Sequence, residues 1–271
     1  MLDSKKLILA SMTGLVLSGC ITVRADSINY EATETLKLEA SDLERLDIEA
    51  SAGFLKVEGE AGRTDIEVTA VIVVDQEYYK LSLERSGNRA ILVADANTKN
   101  WSSWAGDSPR IDLTVKTPDN LQLDIDDGSG FIKITDIKES VWIKDGSGDI
   151  EASNLAGDVE LKDGSGSVEL TNIGGSLRID DGSGDLDISQ VGADTEIDDG
   201  SGEINLKDVS GKVSIEDGSG DLTVINAVGH VTIDDGSGDI RVKQLENGLT
   251  VLESGSGGLS IKDVKGDIST D

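Results

Sequence analysis

Asp163-Gly164-Ser165-Gly166-Ser167-Val168-Glu169-Leu170-Thr171-Asn172-Ile173-Gly174-Gly175-Ser176-Leu177-Arg178-Ile179-Asp180 is one unit of a repeat. Asp-Gly-Ser-Gly returns at Asp127, Asp145, Asp163, Asp181, Asp199, Asp217 and Asp235, each time 18 residues on. An eighth, altered copy, Glu253-Ser254-Gly255-Ser256-Gly257, carries one extra residue in the turn. A fixed period of this length marks a solenoid or an array.

Each unit splits into two halves of nine residues, and glycine opens most halves, as at Gly148, Gly157, Gly166 and Gly175. Apolar residues stand at the second and fourth places after the opener: Val168/Leu170, Leu177/Ile179, Leu186/Ile188 and Ile204/Leu206. That alternation is a strand signature, one face in and one face out. A third apolar residue closes the glycine-rich half, as Leu155, Ile173 and Val191 do. The expectation is an all-β, parallel β-solenoid of β-helix-like form, with 18 residues and two short strands per coil. Coils stack at about 4.8 Å, so Ile188 belongs between Leu170 and Leu206.

Upstream the pattern is still β but less regular. Gly53 to Val57 and Asp65 to Val68 resemble half-repeats, and residues 71–74, 80–83, 90–93 and 111–115 are further strand candidates. Solenoid ends need covering, so residues 36–118 read as an N-terminal β cap and 119–271 as the repetitive solenoid. Residues 95–110 form the longest unpatterned stretch. Trp101 and Trp104 lie in it and are candidate ligand contacts, either stacking on sugars or partners or folding over the end coil.

At the start, Lys5 and Lys6 precede an apolar run, residues 7–17, that is too short to span a bilayer. Leu17-Ser18-Gly19-Cys20 follows and resembles the lipobox of bacterial lipoproteins. Residues 1–19 are therefore expected to be a lipoprotein signal peptide, Cys20 the lipidation site and 20–35 a tether. Ile21 after the cysteine implies the outer membrane if the source is Gram-negative. Cys20 is the only cysteine, which excludes an intramolecular disulfide. Formal net charge is −29. Such a surface repels nucleic acid and attracts cations or basic partners.

Several of these marks together resemble the bacterial "putative adhesin" domain family, a domain of unknown function related to the head-GIN domains. They are the Gly53 to Val57 strand, the Thr117-Pro118-Asp119-Asn120-Leu121 junction, and repeated strands such as Ser147-Gly148-Asp149-Ile150 and Ser183-Gly184-Asp185-Leu186. The resemblance runs from about Leu36 to Asp271. It implies a β-solenoid and an envelope location, and it carries no established activity.

Catalysis needs convergent groups. The single histidine, His230, sits at an outward place beside Gly229, and seven identical turns are a poor plan for one active site. The chain therefore reads as a non-enzymatic, lipid-anchored envelope protein. It would present an acidic solenoid for adhesion, interaction or support, with a protein or glycan as partner. A calcium-binding envelope module is the alternative, and a carbohydrate-active β-helix enzyme a weaker one. Stacking aligns Asp127, Asp145, Asp163, Asp181, Asp199, Asp217 and Asp235 in one column. These are the candidate ligands if calcium is bound, since clustered oxygens suit Ca²⁺. The competing reading is a turn-holding role. Asn154, Asn172 and Gln190 occupy the same place in the other half, and short polar side chains accept backbone N–H groups at corners.

Overall fold

A computed structural model describes residues 30–74, 79–96 and 109–270. Among the described residues every regular element is a strand. The first nine are β1 Tyr30–Glu39, β2 Arg45–Ala50, β3 Leu55–Glu60, β4 Asp65–Val74, β5 Lys80–Ser86, β6 Arg89–Asp95, β7 Arg110–Pro118, β8 Gln122–Asp127 and β9 Ile132–Ile137. Strands β10 to β24 then alternate between two sheets, from β10 Val141–Asp145 to β23 Leu259–Val264 and β24 Ile268–Thr270. One sheet runs β1, β4, β7, β3, β9 and on through the odd-numbered strands. The other runs β5, β6, β2, β8 and on through the even-numbered ones.

The expected parallel solenoid is what forms. Leu170 pairs with Ile188 and Ile188 with Leu206, one repeat apart. A single aliphatic layer fills the space between the sheets, and Ile132, Ile134, Leu161, Leu170, Ile188 and Leu206 are all buried in it. The altered eighth copy, with its extra residue, coincides with a register shift between Ile233 and Asp234.

The Asp-Gly-Ser-Gly turns stack as tightly as the strands. Gly146 N–H donates to the Asp127 carbonyl at 3.1 Å, and Gly148 N–H to the Ser165 carbonyl at 2.9 Å. Both glycines are sterically required. A Cβ on Gly146 would lie 2.6 Å from the Gly128 carbonyl oxygen, and one on Gly148, where φ is +145°, would run into that of Gly130. The opposite corner is built differently. Asn154, Asn172, Gln190, Asp208 and Asn226 have φ between 57° and 62°, the left-handed region that Asn and Asp tolerate best. Their exposed side chains link coil to coil: Asn154 Nδ2 donates to Asp136 Oδ1 at 2.9 Å, and Asn172 Nδ2 to Asn154 Oδ1 at 2.9 Å.

The N-terminal region departs from coil order. Strands β2 and β3 form a coil of their own, placed between the β6/β7 level and the β8/β9 level. Leu55 pairs with Leu113 on one side and Ile132 on the other. Outside this level β4 runs antiparallel to β7, β1 antiparallel to β4, and β5 antiparallel to β6. The two outermost strands are tied together: Tyr30 stacks on Tyr79 at 5.9 Å, and Tyr79 OH donates to Glu34 Oε1 at 2.6 Å. Residues 30–35, assigned to the tether on sequence grounds, lie in β1 instead. They pair one for one with residues 69–74 of β4, which a free tether would not do.

Candidate functional site

Three places merit description: the Asp column, the outer face of the even-numbered sheet, and the end of the stack around His230. In the first, the parity of the strand decides the geometry. Val159 and Leu161 point inward, so Asp163, two residues further, points inward as well. The same holds for all seven aspartates, none of which is more than 6% exposed. They stand in register from Asp127 to Asp235 through every intervening coil.

Each carboxylate is held on one side only. Ser165, Ser201, Ser219 and Ser237 N–H groups donate to Oδ1 of the aspartate two residues before, at 3.3, 3.2, 2.9 and 3.0 Å. At Asp127 and Asp145 the following glycine donates to Oδ1, at 2.9 and 2.8 Å. These are the turn-holding bonds that the sequence suggests. The other oxygen, Oδ2, is buried without a hydrogen-bond partner in all seven. Burial pushes Asp127 up to about 6, and burial together with the charges of Asp163 and Asp199 pushes Asp181 to about 6. Burial together with the charges of both neighbours pushes Asp145 and Asp217 to about 7. Burial raises Asp163, Asp199 and Asp235 too. Among the described residues no group of three or more His, Cys, Asp or Glu side chains is placed to hold a metal ion.

A second acidic row, Asp149, Asp185, Asp221 and the half-buried Asp239, lies at the surface and staples coils together. Asp149 Oδ1 accepts Ser167 N–H at 3.0 Å, and Asp185 Oδ1 accepts Glu203 N–H at 3.0 Å.

On the outer face of the even-numbered sheet, Asp124, Trp142, Glu160, Arg178, Glu196, Ser214 and Thr232 make one outward ladder. Two shallow grooves of about 780 and 420 Å³ run beside it and share Ser176 and Arg178. Trp142 lies half-buried in the smaller groove, with Arg45 and Asp158. The larger reaches Lys212 and His230. An indole, hydroxyls and paired charges suit a polar ligand laid flat on the sheet. His230 is fully engaged: Nδ1 lies 3.0 Å from the Asn247 carbonyl and Nε2 2.9 Å from Thr250 Oγ1. It braces the last coils. Cys20, Trp101 and Trp104 lie outside the described residues. No helix of the described residues is long and apolar enough to cross a membrane.

A two-sheet parallel β-solenoid with a mixed-polarity N-terminal end is the class that these features define. The chain belongs to the Toastrack DUF4097 family, whose profile matches residues 43–267. Three solved structures are similar to it. A "putative cell adhesion protein" of Clostridium sporogenes is 15% identical, over 86% of this chain and 99% of that one, with a TM-score of 0.34. A "putative lipid binding protein" of Parabacteroides distasonis is 14% identical, over 88% and 96%, with a TM-score of 0.48. A "putative adhesin" of Bacteroides fragilis is 15% identical, over 88% and 97%, with a TM-score of 0.35. No curated protein matches the sequence.

Proposed function

We propose that the protein is a lipid-anchored component of the cell envelope that acts by display rather than catalysis. The solenoid is a stiff acidic surface for adhesion, for an envelope protein or glycan, or for support. The observation that carries this reading is the unbroken parallel register from β8 to the strand Val231–Asp235, which fixes the outer ladders coil after coil. Leu17-Ser18-Gly19-Cys20 supports the anchor, and Ile21 supports the outer membrane in a Gram-negative cell. Engagement of both His230 nitrogens supports a non-catalytic role.

Cys20→Ser is expected to leave an uncleaved or soluble precursor. Membrane fractionation and the mass of the mature chain check this, and normal maturation of the variant would remove the anchor. Display is tested with the lipidated protein on a panel of envelope glycans. Retention without turnover is expected, weakened by Trp101→Ala with Trp104→Ala. Release of new sugar ends would overturn the non-enzymatic reading.

A further inference from the structure

We propose that Asp127, Asp145, Asp163, Asp181, Asp199, Asp217 and Asp235 form a proton-sharing column, in which neutral carboxylic acids alternate with carboxylates. The geometry makes the argument. Seven carboxyl groups point into the same dry corner, in register, one strand spacing apart, roughly 4.8 Å. Every Oδ1 has a turn amide or faces one, and every Oδ2 is buried with nothing to accept or donate. Seven bare anions in that line would repel at short range where water cannot screen them. A proton on alternate members removes the repulsion and supplies the missing bond. The neutral acid donates its O–H to a carboxylate oxygen in the coil above or below. An alternation that ends on an acceptor at both Asp127 and Asp235 makes Asp145, Asp181 and Asp217 the acids. Asp127, Asp163, Asp199 and Asp235 are the acceptors. The protons belong to the column as a unit rather than to single residues.

Among the described residues no cation reaches the column from inside the layer. The charged groups that act on the column from neighbouring positions are Asp126, Asp198 and Asp234 on the outward side of the same strands, and Asp149, Asp185 and Asp221 beyond the turns. All are acidic. Across the layer, the facing strands open with apolar residues, Ile150, Val168 and Leu186 among them. At one end Ala50 of β2 pairs with Asp127. At the other the bulge after Ile233 sets Glu253 against Asp234, so no carboxylate continues the line in register.

The sign follows from linkage. These carboxyls bind protons more tightly folded than unfolded. Their contribution is complete below the unfolded value, about 4, and is lost as pH rises through about 6 to 7. The solenoid should be firmest in mildly acidic surroundings. General repulsion among the 53 acidic residues pushes the same way, so the test needs a charge-matched control.

The experiment compares the full chain with Asp145→Asn/Asp181→Asn/Asp217→Asn and with Asp180→Asn/Asp198→Asn/Asp234→Asn. The first set sits in the column. The second removes three exposed or outward charges from the same sheet. Melting temperature is followed from pH 5 to pH 8, with infrared spectra in the carboxylic-acid carbonyl region at pH 7. The parent and the outward variant are expected to lose stability as pH rises and to show a protonated-acid band. The column variant should show neither, because each Asn amide donates permanently what the acid donates only when protonated. It should also melt at least as high as the parent at pH 8. A column variant that keeps the parental pH profile and acid band would overturn the proposal. So would stabilisation of the parent at pH 8 by Ca²⁺ beyond ionic-strength-matched NaCl, if the column variant lost it. In that case a cation holds the column.

Discussion

Ile188→Asp is expected to unfold the middle of the solenoid, whereas Asp187→Asn beside it leaves the melting curve nearly unchanged. Ile188 is 2% exposed and lies in the ladder between Leu170 and Leu206. Burying its side chain contributes on the order of 2 kcal/mol. The replacement forfeits that and puts an unpaired carboxyl into an aliphatic layer with no donor at hand. Together the two effects should cost roughly 3 kcal/mol or more. Coils are stabilised by their neighbours, so the loss spreads to the flanking coils. Asp187 points outward and is exposed, and its amide would remain hydrated. Thermal melts of the two variants check the register, and equal melting temperatures would refute it.

A comparable loss is expected for Gly184→Ala, although alanine adds one methyl group. Gly184 has φ of +152°, and its Cβ would be driven into the Gly166 carbonyl oxygen of the preceding coil. Its N–H meanwhile holds the Ser201 carbonyl of the next coil at 2.9 Å. Backbone strain alone costs about 1–3 kcal/mol, and the clash must be relieved by prising two coils apart. Gly62→Ala is the control. That glycine also has a positive φ, +75°, but a Cβ there meets nothing within 4 Å, so the cost is strain only, about 1–2 kcal/mol. The difference between the two melting temperatures measures how closely the turns stack.

The solenoid was legible because its information is local and repeated. The step from Leu170 to Ile188 to Leu206 names each residue's neighbours without any knowledge of the rest of the chain. The N-terminal coil was not legible in the same way. Gly53 to Val57 could be recognised as a half-repeat, yet nothing in its pattern says that Leu113 and Ile132 are its partners. Those pairings depend on the path of the chain, not on local alternation. Likewise residues 65–68 and 71–74 read as separate strands, and the structure runs them together as β4. Polar and charged residues within it give no local sign that β1 and β7 lie on either side.

The Asp column was legible in its turn-holding role but not in its direction. Val159, Leu161 and Asp163 obey the alternation that places side chains inside, so the signal was present. Charge argued the other way, and a corner position made exposure plausible. Parity won because the turn amides face inward and need an acceptor there. Asn172 occupies the equivalent place in the other half and turns outward, since its backbone is left-handed. One place in the half-repeat thus has two structural roles, which the shared preference for short polar side chains conceals.

Strands β2 and β3 are made early and completed late. Their ladders close only when residues 89–118 have stacked on one side and residues 122–137 on the other. The two ends of the array therefore differ in how the chain can change length. Whole 18-residue coils can be gained or lost beyond β9 while each remaining coil keeps its neighbours, the usual route by which repeat arrays grow. Removing residues 45–60 would instead leave two finished coils facing each other across an empty level. A gene that lengthens by duplication is thus free to edit one end of this molecule and constrained to preserve the other.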